Sequence, residues 1–315
     1  MEVQLLTKYT HLSAGRLNLD IILYVNRLPG VEDRVYGSDS FISIGGSATN
    51  YAIAVSRLGH NAVLAACTGV DPFSRVLVEM LASVGVDASR LCRSGGGPGT
   101  VVVLSLPNGK YAMASYLGAN RALTIDYIIE LVNYENPDIV HVAGLDPEIT
   151  LSLIKRLLES RTQVIISYDP GRKAVDKPNK LAEIMPNINH LLLNEREFKA
   201  LNMPLSKDLL RGKLEAIAIK MGGRGATLVT KKEMLRVEAY RPGKVVDTVG
   251  AGDVFDAAFN TYYLETNDYV EAVRAGVVAA GIKVTRHGSL GAPSRLEVDL
   301  VLGKLRFTLK TEKIS

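Results

Sequence analysis

The residues best suited to chemistry lie in a glycine-rich turn at 247–253, with the sequence DTVGAGD. Apolar residues follow at helical spacing, so the turn falls at a helix N-terminus, where free backbone N–H groups bind anions. Asp253 could accept the proton of a hydroxyl that attacks a phosphoryl group, and the amides of Gly250, Ala251 and Gly252 would stabilise the developing charge. With the ordinary aspartate pKa of about 3.9, this base would be ionised at pH 7 but weak. A simple helix cap is the alternative.

A pair of polar residues near the start of the chain could recognise a polyol. Asn18 and Asp20 alternate with apolar residues in a strand predicted at 11–24, so both side chains point to one face. A carboxylate there could accept hydrogen bonds from two vicinal hydroxyls of a sugar. A satisfied polar pair in a turn is the plainer interpretation.

Two further glycine motifs do not match common nucleotide-binding sequences. Gly45 and Gly46 precede a helix predicted at 51–58, but they lack the GxGxxG spacing of a dinucleotide site. The glycines at 222–225 follow a strand predicted at 217–221, and no helix pattern comes next, so this turn is not a P-loop. The sequence therefore gives little support to a Rossmann NAD site or a P-loop NTPase.

From residue 125 onwards, predicted strands and helices alternate regularly. The strands are apolar, which is typical of a parallel sheet with helices on both faces. Ligands bind beyond the carboxyl ends of such strands, and polar residues stand there at 169–172 and 194–197. Asn194 and Glu197 also have the spacing of a helix capping box, which explains them equally well.

Three of these motifs resemble the ribokinase-like (PfkB) carbohydrate kinase family and occur in its order. They are G-G-x-x-x-N from Gly45 to Asn50, N-x-x-E from Asn194 to Glu197, and the DTVGAGD turn. The resemblance covers roughly residues 10 to 300. It implies a three-layer α/β/α ribokinase-like fold with a mostly parallel central sheet and a small β-sheet lid. It also implies transfer of a phosphoryl group from a nucleotide, ATP or ADP, to a hydroxyl of a sugar or sugar derivative.

The resemblance assigns roles to individual residues. Those that would contact the sugar are Asn18, Asp20, Gly45, Gly46, Asn50 and, in a G-A-N sequence, Asn120. Those that would lie at the nucleotide are Asn194, Lys220, Gly222, Gly225 and Thr248. Glu197 would act on Mg²⁺ through water, since magnesium keeps several of its waters. Family members often hold a monovalent cation with a later serine, and the sequence at 288–293 departs from that arrangement, which puts potassium activation in doubt.

We expect one kinase domain over 1–315, with a lid inserted in the α/β core. Short alternating segments at about 29–44 and 98–118 predict the lid strands, and Pro107-Asn108-Gly109 predicts the turn of a hairpin. Family members often dimerise through such lids, so the resemblance also implies a homodimer.

Three arginines beside the sugar-side motifs bear on the acceptor: Arg16, Arg121 and Arg172. If two or more face the pocket, they favour an anionic acceptor, such as a sugar acid or a sugar phosphate like ribose 1-phosphate. Surface arginines are the plainer interpretation. A nucleoside kinase is a second hypothesis, and a sugar-binding regulatory protein without catalysis is a third, from another class.

Composition narrows the class of protein. The chain has 315 residues, 47% of them hydrophobic and 22% charged, which is typical of a globular protein. The formal net charge is +4 and the basic residues form no run of five, which disfavours nucleic acid as a partner. The N-terminal residues lack the apolar core of a signal peptide, and no apolar run reaches membrane-spanning length. Since Cys67 and Cys92 show no metal spacing, we expect reduced thiols in a cytoplasmic protein.

Overall fold

The computed structural model of the protein describes residues 9–108, 110–160, 163–304 and 309–311. Gly109, the last residue of the predicted hairpin turn, lies outside the described residues. The strands are β1 (Thr10–Ala14), β2 (Asn18–Val25), β3 (Gly37–Gly45), β4 (Asn61–Ala65), β5 (Cys67–Thr68), β6 (Cys92–Arg93), β7 (Gly99–Ser105), β8 (Tyr111–Tyr116), β9 (Ile139–Ala143), β10 (Ile165–Asp169), β11 (His190–Asn194), β12 (Ala216–Lys220), β13 (Ala226–Thr230), β14 (Met234–Val237) and β15 (Leu309–Thr311). The α-helices are α1 (Ser47–Arg57), α2 (Pro72–Ser83), α3 (Ile125–Glu135), α4 (Pro147–Glu159), α5 (Lys173–Asp176), α6 (Pro178–Ile184), α7 (Glu195–Ala200), α8 (Ala251–Thr266), α9 (Tyr269–Lys283) and α10 (Arg295–Leu302).

The largest sheet joins nine of the described strands in the order β15-β14-β13-β12-β11-β10-β9-β1-β4. The strands from β12 to β4 pair in parallel, and β13, β14 and β15 extend the sheet antiparallel. All of β9 and all but the last residue of β11 are buried, because helices cover both faces of this region. The prediction of a mostly parallel central sheet is therefore confirmed.

Helices on both faces complete the three-layer arrangement. Successive residues of β4 show the two faces, since Val63 packs with α3, α4 and α6, whereas Leu64 packs with α1, α8 and α9. This alternation follows from the two-residue repeat of a strand. Among the described helices, none combines the length and the apolar character needed to cross a membrane.

A smaller sheet in the order β3-β2-β7-β8 forms the lid. β2 pairs antiparallel with β3 and parallel with β7, and β7 and β8 form a hairpin. β7 and β8 lie within the predicted segment at 98–118, while β3 overlaps the segment at 29–44 and extends one residue beyond it. The small lid sheet predicted from the sequence is confirmed, and β2 is a fourth strand that the prediction did not assign to it.

The prediction of a single strand at 11–24 is wrong. β1 ends at Ala14 in the main sheet, and the chain then passes into β2 of the lid. A Cβ atom at Gly15 would lie 2.4 Å from the Ala143 carbonyl oxygen, so only glycine fits where the chain leaves the main sheet. Apolar alternation continues on both sides of this point, and the pattern therefore hides the break.

Candidate active site

The glycine-rich turn leads into α8, as the helical spacing predicted. Gly250 is the N-cap and has a left-handed backbone with φ of 74°, a conformation that favours glycine. The first N–H groups of a helix lack partners within it, which leaves those of Gly252 and Asp253 available to a ligand. The Ala251 N–H group instead donates to the Thr248 carbonyl oxygen at 3.3 Å. All of these residues line the main cavity.

Asp253 is held by side chains of α1. Asn50 Nδ2 donates to Asp253 Oδ2 at 2.6 Å, and Ser47 is a second hydrogen-bond partner of the carboxylate. Asn50 Oδ1 is buried and has no hydrogen-bond partner among the described residues. The sequence assigned Asn50 to the sugar. In the structure its Nδ2 bonds the Asp253 carboxylate, and its own Oδ1 is left as an unused acceptor. Ser47 was missed because it lies inside a motif in which only the glycines and the asparagine are diagnostic.

The surroundings of Asp253 change its acidity. Burial and the nearby charge of Asp169 raise the pKa of Asp253 to about 6, although the hydrogen bond from Asn50 opposes this shift. The structure thus corrects the expectation of an ordinary aspartate pKa. A carboxylate with a pKa of about 6 is ionised at pH 7 and is a stronger base than an ordinary aspartate.

Lys220, at the end of β12, forms a buried cluster with two carboxylates. Its Nζ atom lies 2.8 Å from Asp169 Oδ2 and 2.9 and 2.8 Å from the two carboxylate oxygens of Asp256. Burial acts to lower the pKa of Lys220, but the carboxylates of Asp169 and Asp256 outweigh it, so the pKa is raised and the ammonium stays charged. Burial raises the pKa of Asp256 well above its ordinary value. Asp256 was missed, although its position about one turn after Asp253 on the same helix is visible in the sequence.

Asn194 and Glu197 form a complete capping box at the start of α7. The backbone N–H and Nδ2 of Asn194 donate to Glu197 at 2.9 and 2.6 Å, and the Glu197 N–H donates to Asn194 Oδ1 at 3.0 Å. Both residues also line the main cavity. Burial, helped by the charge of Asp169, raises the pKa of Glu197 to about 7. Carboxylate and amide oxygens on a cavity wall are ligands that suit Mg²⁺, so this donor set fits an ion held through water.

The predicted sugar-side residues of the lid lie close together. Asn120 Nδ2 donates to Asn18 Oδ1 at 2.9 Å, and a Cβ atom at Gly45 would lie 1.9 Å from Asp20 Oδ2. Asp20 Oδ1 is buried without a hydrogen-bond partner in the part of the chain that is described, and burial raises the pKa of Asp20 to about 7. A buried polar atom without a partner is costly, which marks this oxygen as an acceptor for a ligand hydroxyl.

Gly46 and Arg172 were the other two predicted sugar-side residues. Gly46 has a φ of 100°, and a Cβ atom there would lie 2.1 Å from the Arg16 carbonyl oxygen, so it lets β3 lead directly into α1. Arg172 is exposed and lines neither the main cavity nor a smaller second cavity beside Asn120. The structure therefore does not bring Arg172 to the site, and the next residue, Lys173, lies at the second cavity instead.

The main cavity has a volume of about 570 Å³. All five residues predicted for the nucleotide line it, together with the turn and Asp253: Asn194, Lys220, Gly222, Gly225 and Thr248. Residues 239–243 line it as well and were not identified from the sequence, since they belong to no motif. Ala280 and Gly281 of α9 contribute a wall without bulky side chains, which suits a flat ring.

A second cavity of about 170 Å³ lies on the sugar side. Asn120 belongs to its wall, and so do four charged residues: Arg16, Arg121, Asp146 and Lys173. Asp146 is paired with Lys177 at 3.1 Å and with Lys173 at 3.9 Å. Arg16 has no ion-pair partner within 4.0 Å among the described residues, and burial lowers its pKa. The cavity therefore has an excess of positive charge beside the predicted sugar site.

Comparison with known proteins gives the same family over most of the chain. The pfkB family carbohydrate kinase model matches residues 11–295. The ATP-dependent ribose-1-phosphate kinase of Halopiger xanaduensis is 29% identical over 289 residues, covering 90% of this chain and 94% of that protein. The nucleoside kinase of Methanocaldococcus jannaschii is 26% identical over 281 residues, covering 87% and 90%. The ribokinase structure from Thermotoga maritima superposes with a TM-score of 0.81 at 27% identity, covering 94% of this chain and all of that one.

The chain belongs to the PfkB family of carbohydrate kinases. It is therefore a phosphotransferase, and its relatives define it as a sugar or nucleoside kinase with the ribokinase fold. The family resemblance and the enzyme class inferred from the motifs are confirmed. The alternative of a regulatory protein without catalysis is set aside.

The buried cluster around Lys220 generates a stability prediction. Lys220→Met keeps the length of the side chain but leaves Asp169 and Asp256 without their counter-charge. We expect the free energy of unfolding in urea to fall by about 3–5 kcal/mol. Arg224→Met is the matched control, since its ion pair with Glu195 is largely exposed and such pairs contribute about 0–1 kcal/mol. Equal losses in the two variants would contradict the cluster's structural role.

Proposed function

We propose that the enzyme transfers the terminal phosphoryl group of a nucleotide to a hydroxyl of a sugar or sugar derivative, with Asp253 as the general base. The observation that carries the proposal is the position of Asp253. Its carboxylate lies at a helix N-terminus on the wall of a cavity large enough for a nucleotide, and it is bonded to Asn50. Asn50 belongs to α1, which starts two residues after Gly45, the glycine that lies against Asp20. The base therefore lies between the nucleotide side and the sugar side.

The proposed reaction is a direct displacement at phosphorus. The acceptor hydroxyl oxygen forms a bond to the terminal phosphorus, and the hydroxyl proton passes to the Asp253 carboxylate. The bond between that phosphorus and the bridging oxygen breaks, which releases ADP from ATP or AMP from ADP. The amides of Gly250, Ala251 and Gly252 would stabilise the charge on the phosphoryl oxygens. The Ala251 N–H group must first break its hydrogen bond to the Thr248 carbonyl oxygen.

The nucleotide would occupy the main cavity. Asn194, Lys220 and Thr248 would lie along its phosphates, and Gly222 and Gly225 would let the backbone of the turn approach it closely. Mg²⁺ bound with the nucleotide would be held through water by Glu197 and would neutralise phosphate charge.

A cytoplasmic location, where Cys67 and Cys92 remain free thiols, is part of the proposal.

Asp253→Asn tests the assigned base. We expect kcat to fall by about 10²–10⁴-fold while both substrates still bind, because the amide cannot accept the proton. In the unmodified enzyme, kcat/KM should fall as the pH drops below about 6, since protonated Asp253 is inactive. Initial rates from pH 4.5 to 8.5 and calorimetric binding measure both effects. Asp176→Asn, at an exposed position, is the control. An Asp253→Asn enzyme with the original rate would refute the mechanism.

We further propose that the acceptor carries an anionic group, as a sugar phosphate does. Arg16, Arg121 and Lys173 place positive charge at the second cavity, whose wall also includes Asn120. Guanidinium groups bind phosphate through paired hydrogen bonds. The Halopiger relative is named for ribose 1-phosphate, which supports this choice. The Methanocaldococcus relative is named a nucleoside kinase, which keeps a nucleoside acceptor as the second candidate.

A screen of donors against acceptors decides between these candidates. ATP, ADP and GTP are each paired with free sugars, sugar phosphates, sugar acids and nucleosides, and product is detected by mass. We expect a sugar phosphate to give the highest kcat/KM. Arg16→Met should raise the KM for it by about 10-fold or more, the cost of one charged hydrogen bond, and leave neutral sugars unaffected. Arg156→Met, on the exposed side of α4, is the control. A nucleoside as best acceptor would overturn the anionic assignment.

We also propose a homodimer through the lid. Ile42, Val102 and Tyr116 lie on the lid face opposite to Asp20, as the strand registers show. They are 54%, 37% and 62% exposed, and exposed apolar patches commonly mark interfaces.

Charged substitutions on the exposed face of the lid test the dimer. Ile42→Glu combined with Val102→Glu should convert the protein to a monomer in light scattering at micromolar concentration, because burying two carboxylates is unfavourable. Leu296→Glu, on exposed α10, is the control and should leave the mass unchanged. A monomeric parent protein would contradict the proposal.

A further inference from the structure

Lys283 is a fully buried lysine behind the phosphate-binding turn, and the mechanism above does not use it. It is the last residue of α9, and its side chain is 0% exposed. Its Nζ atom lies 3.2 Å from the Asp247 carbonyl oxygen, 3.2 Å from Asp247 Oδ2 and 3.3 Å from the Arg286 carbonyl oxygen. These distances are at the long end of the range for hydrogen bonds. Three acceptors match the three N–H donors of an ammonium group.

Asp247, the main partner of Lys283, is the first residue of the glycine-rich turn. Its Oδ1 accepts from the Val249 N–H at 2.9 Å, and its Oδ2 accepts from the Gly288 N–H at 2.8 Å. The same carboxylate therefore fixes the start of the turn and the loop that follows α9. Lys283 joins both segments from behind, because it contacts Asp247 and the carbonyl of Arg286 together.

The electrostatic surroundings explain why a cation occupies this position. Burial lowers the pKa of Lys283, while the charges of Asp247 and Asp253 raise it in part. The group also lies at the C-terminal end of α9, where the helix dipole favours positive charge. A neutral amine would offer two N–H donors to three oxygens, so the charged form satisfies the site better.

We propose that the Lys283 ammonium is a tethered monovalent cation that holds the phosphate-binding turn, so that the enzyme needs no added K⁺ or NH₄⁺. Lys283 is thus a positioning residue that acts through Asp247. The residues present do not fit a separate monovalent ion at this point, because the oxygens that would bind it already surround a fixed positive charge. The inference rests on the proposed role of the turn in phosphoryl transfer.

The unmodified enzyme gives the first test and needs no variant. Rates are measured in a buffer of Tris and choline salts, with and without 100 mM KCl, NaCl or NH₄Cl at constant ionic strength; that salt concentration is about physiological. We expect changes smaller than about 2-fold, which corresponds to less than half of the net free energy of a typical hydrogen bond. Strong activation by K⁺ or NH₄⁺ would overturn the proposal.

Lys283→Met and Lys283→Ala give the second test. Without added cation, we expect kcat to fall by about 10- to 100-fold, the scale of losing a charged hydrogen-bonded group. NH₄⁺ and K⁺, which can enter the vacated space, should restore a large part of this loss, whereas choline should not. Lys155→Met, at an exposed position of α4, is the control and should not respond to cations.

The outcomes separate a cation role from a packing role. Loss of activity without rescue in a variant that still melts cooperatively would assign Lys283 to packing and contradict the proposal, and so would full activity in cation-free buffer. If a variant folds but is too unstable for rate measurements, its unfolding temperature in K⁺ is compared with that in choline, and equal temperatures would also contradict the proposal. Calorimetric binding of ADP with the same salt series reports on the turn without turnover. This measurement distinguishes failure of the Lys283 assignment from failure of the Asp253 mechanism.

Discussion

Three buried carboxylates that share one ammonium are the constraint on which the site depends. Asp169, Asp253 and Asp256 present oxygens within 4.8 Å of one another. In a medium of low polarity such a group repels itself strongly, and Lys220 offsets this by bonding Asp169 and Asp256 directly. Asp253 is left without a cation of its own. The neutral amide of Asn50 bonds it instead, and burial together with the charge of Asp169 raises its pKa despite that bond. The cluster therefore produces the basicity that the proposed reaction uses.

The same constraint links strands and helices that are far apart in the chain. β10 supplies Asp169, β12 supplies Lys220, and α8 supplies both Asp253 and Asp256. The carboxyl ends of the parallel strands meet one edge of the sheet, where helix α8 begins. α1 then connects this edge to the lid, because its N-cap Gly46 directly follows β3, whose last residue, Gly45, lies against Asp20. α1 therefore links the lid to the base, because its Asn50 bonds Asp253.

The sequence predicted the parts of this arrangement that short motifs and periodicity specify. The glycine-rich turn, the alternating strands and helices, the small sheet and the family followed from local patterns. It missed the contacts that only the fold creates. The bond from Asn50 to Asp253 joins positions 203 residues apart, and no local pattern encodes it. The break at Gly15 was hidden because both flanking strands alternate. Arg172 was predicted and Lys173 was not, because the end of a strand identifies the loop that follows but not which of its side chains faces the cavity.

The position of α8 is fixed along its length as well as at its N-terminus. Asn260, two turns after Asp253, donates to the hydroxyl groups of Tyr51 and Ser167 at 3.0 and 2.9 Å and bonds to His190 at 2.9 Å. Burial lowers the pKa of His190 to about 4, so this group stays uncharged at neutral pH and adds no charge to the buried network. A helix held by directional bonds cannot rotate without breaking several of them at once. We infer that the buried polar network keeps the Asp253 carboxylate aimed at the cavity, which packing of small alanines alone would not enforce.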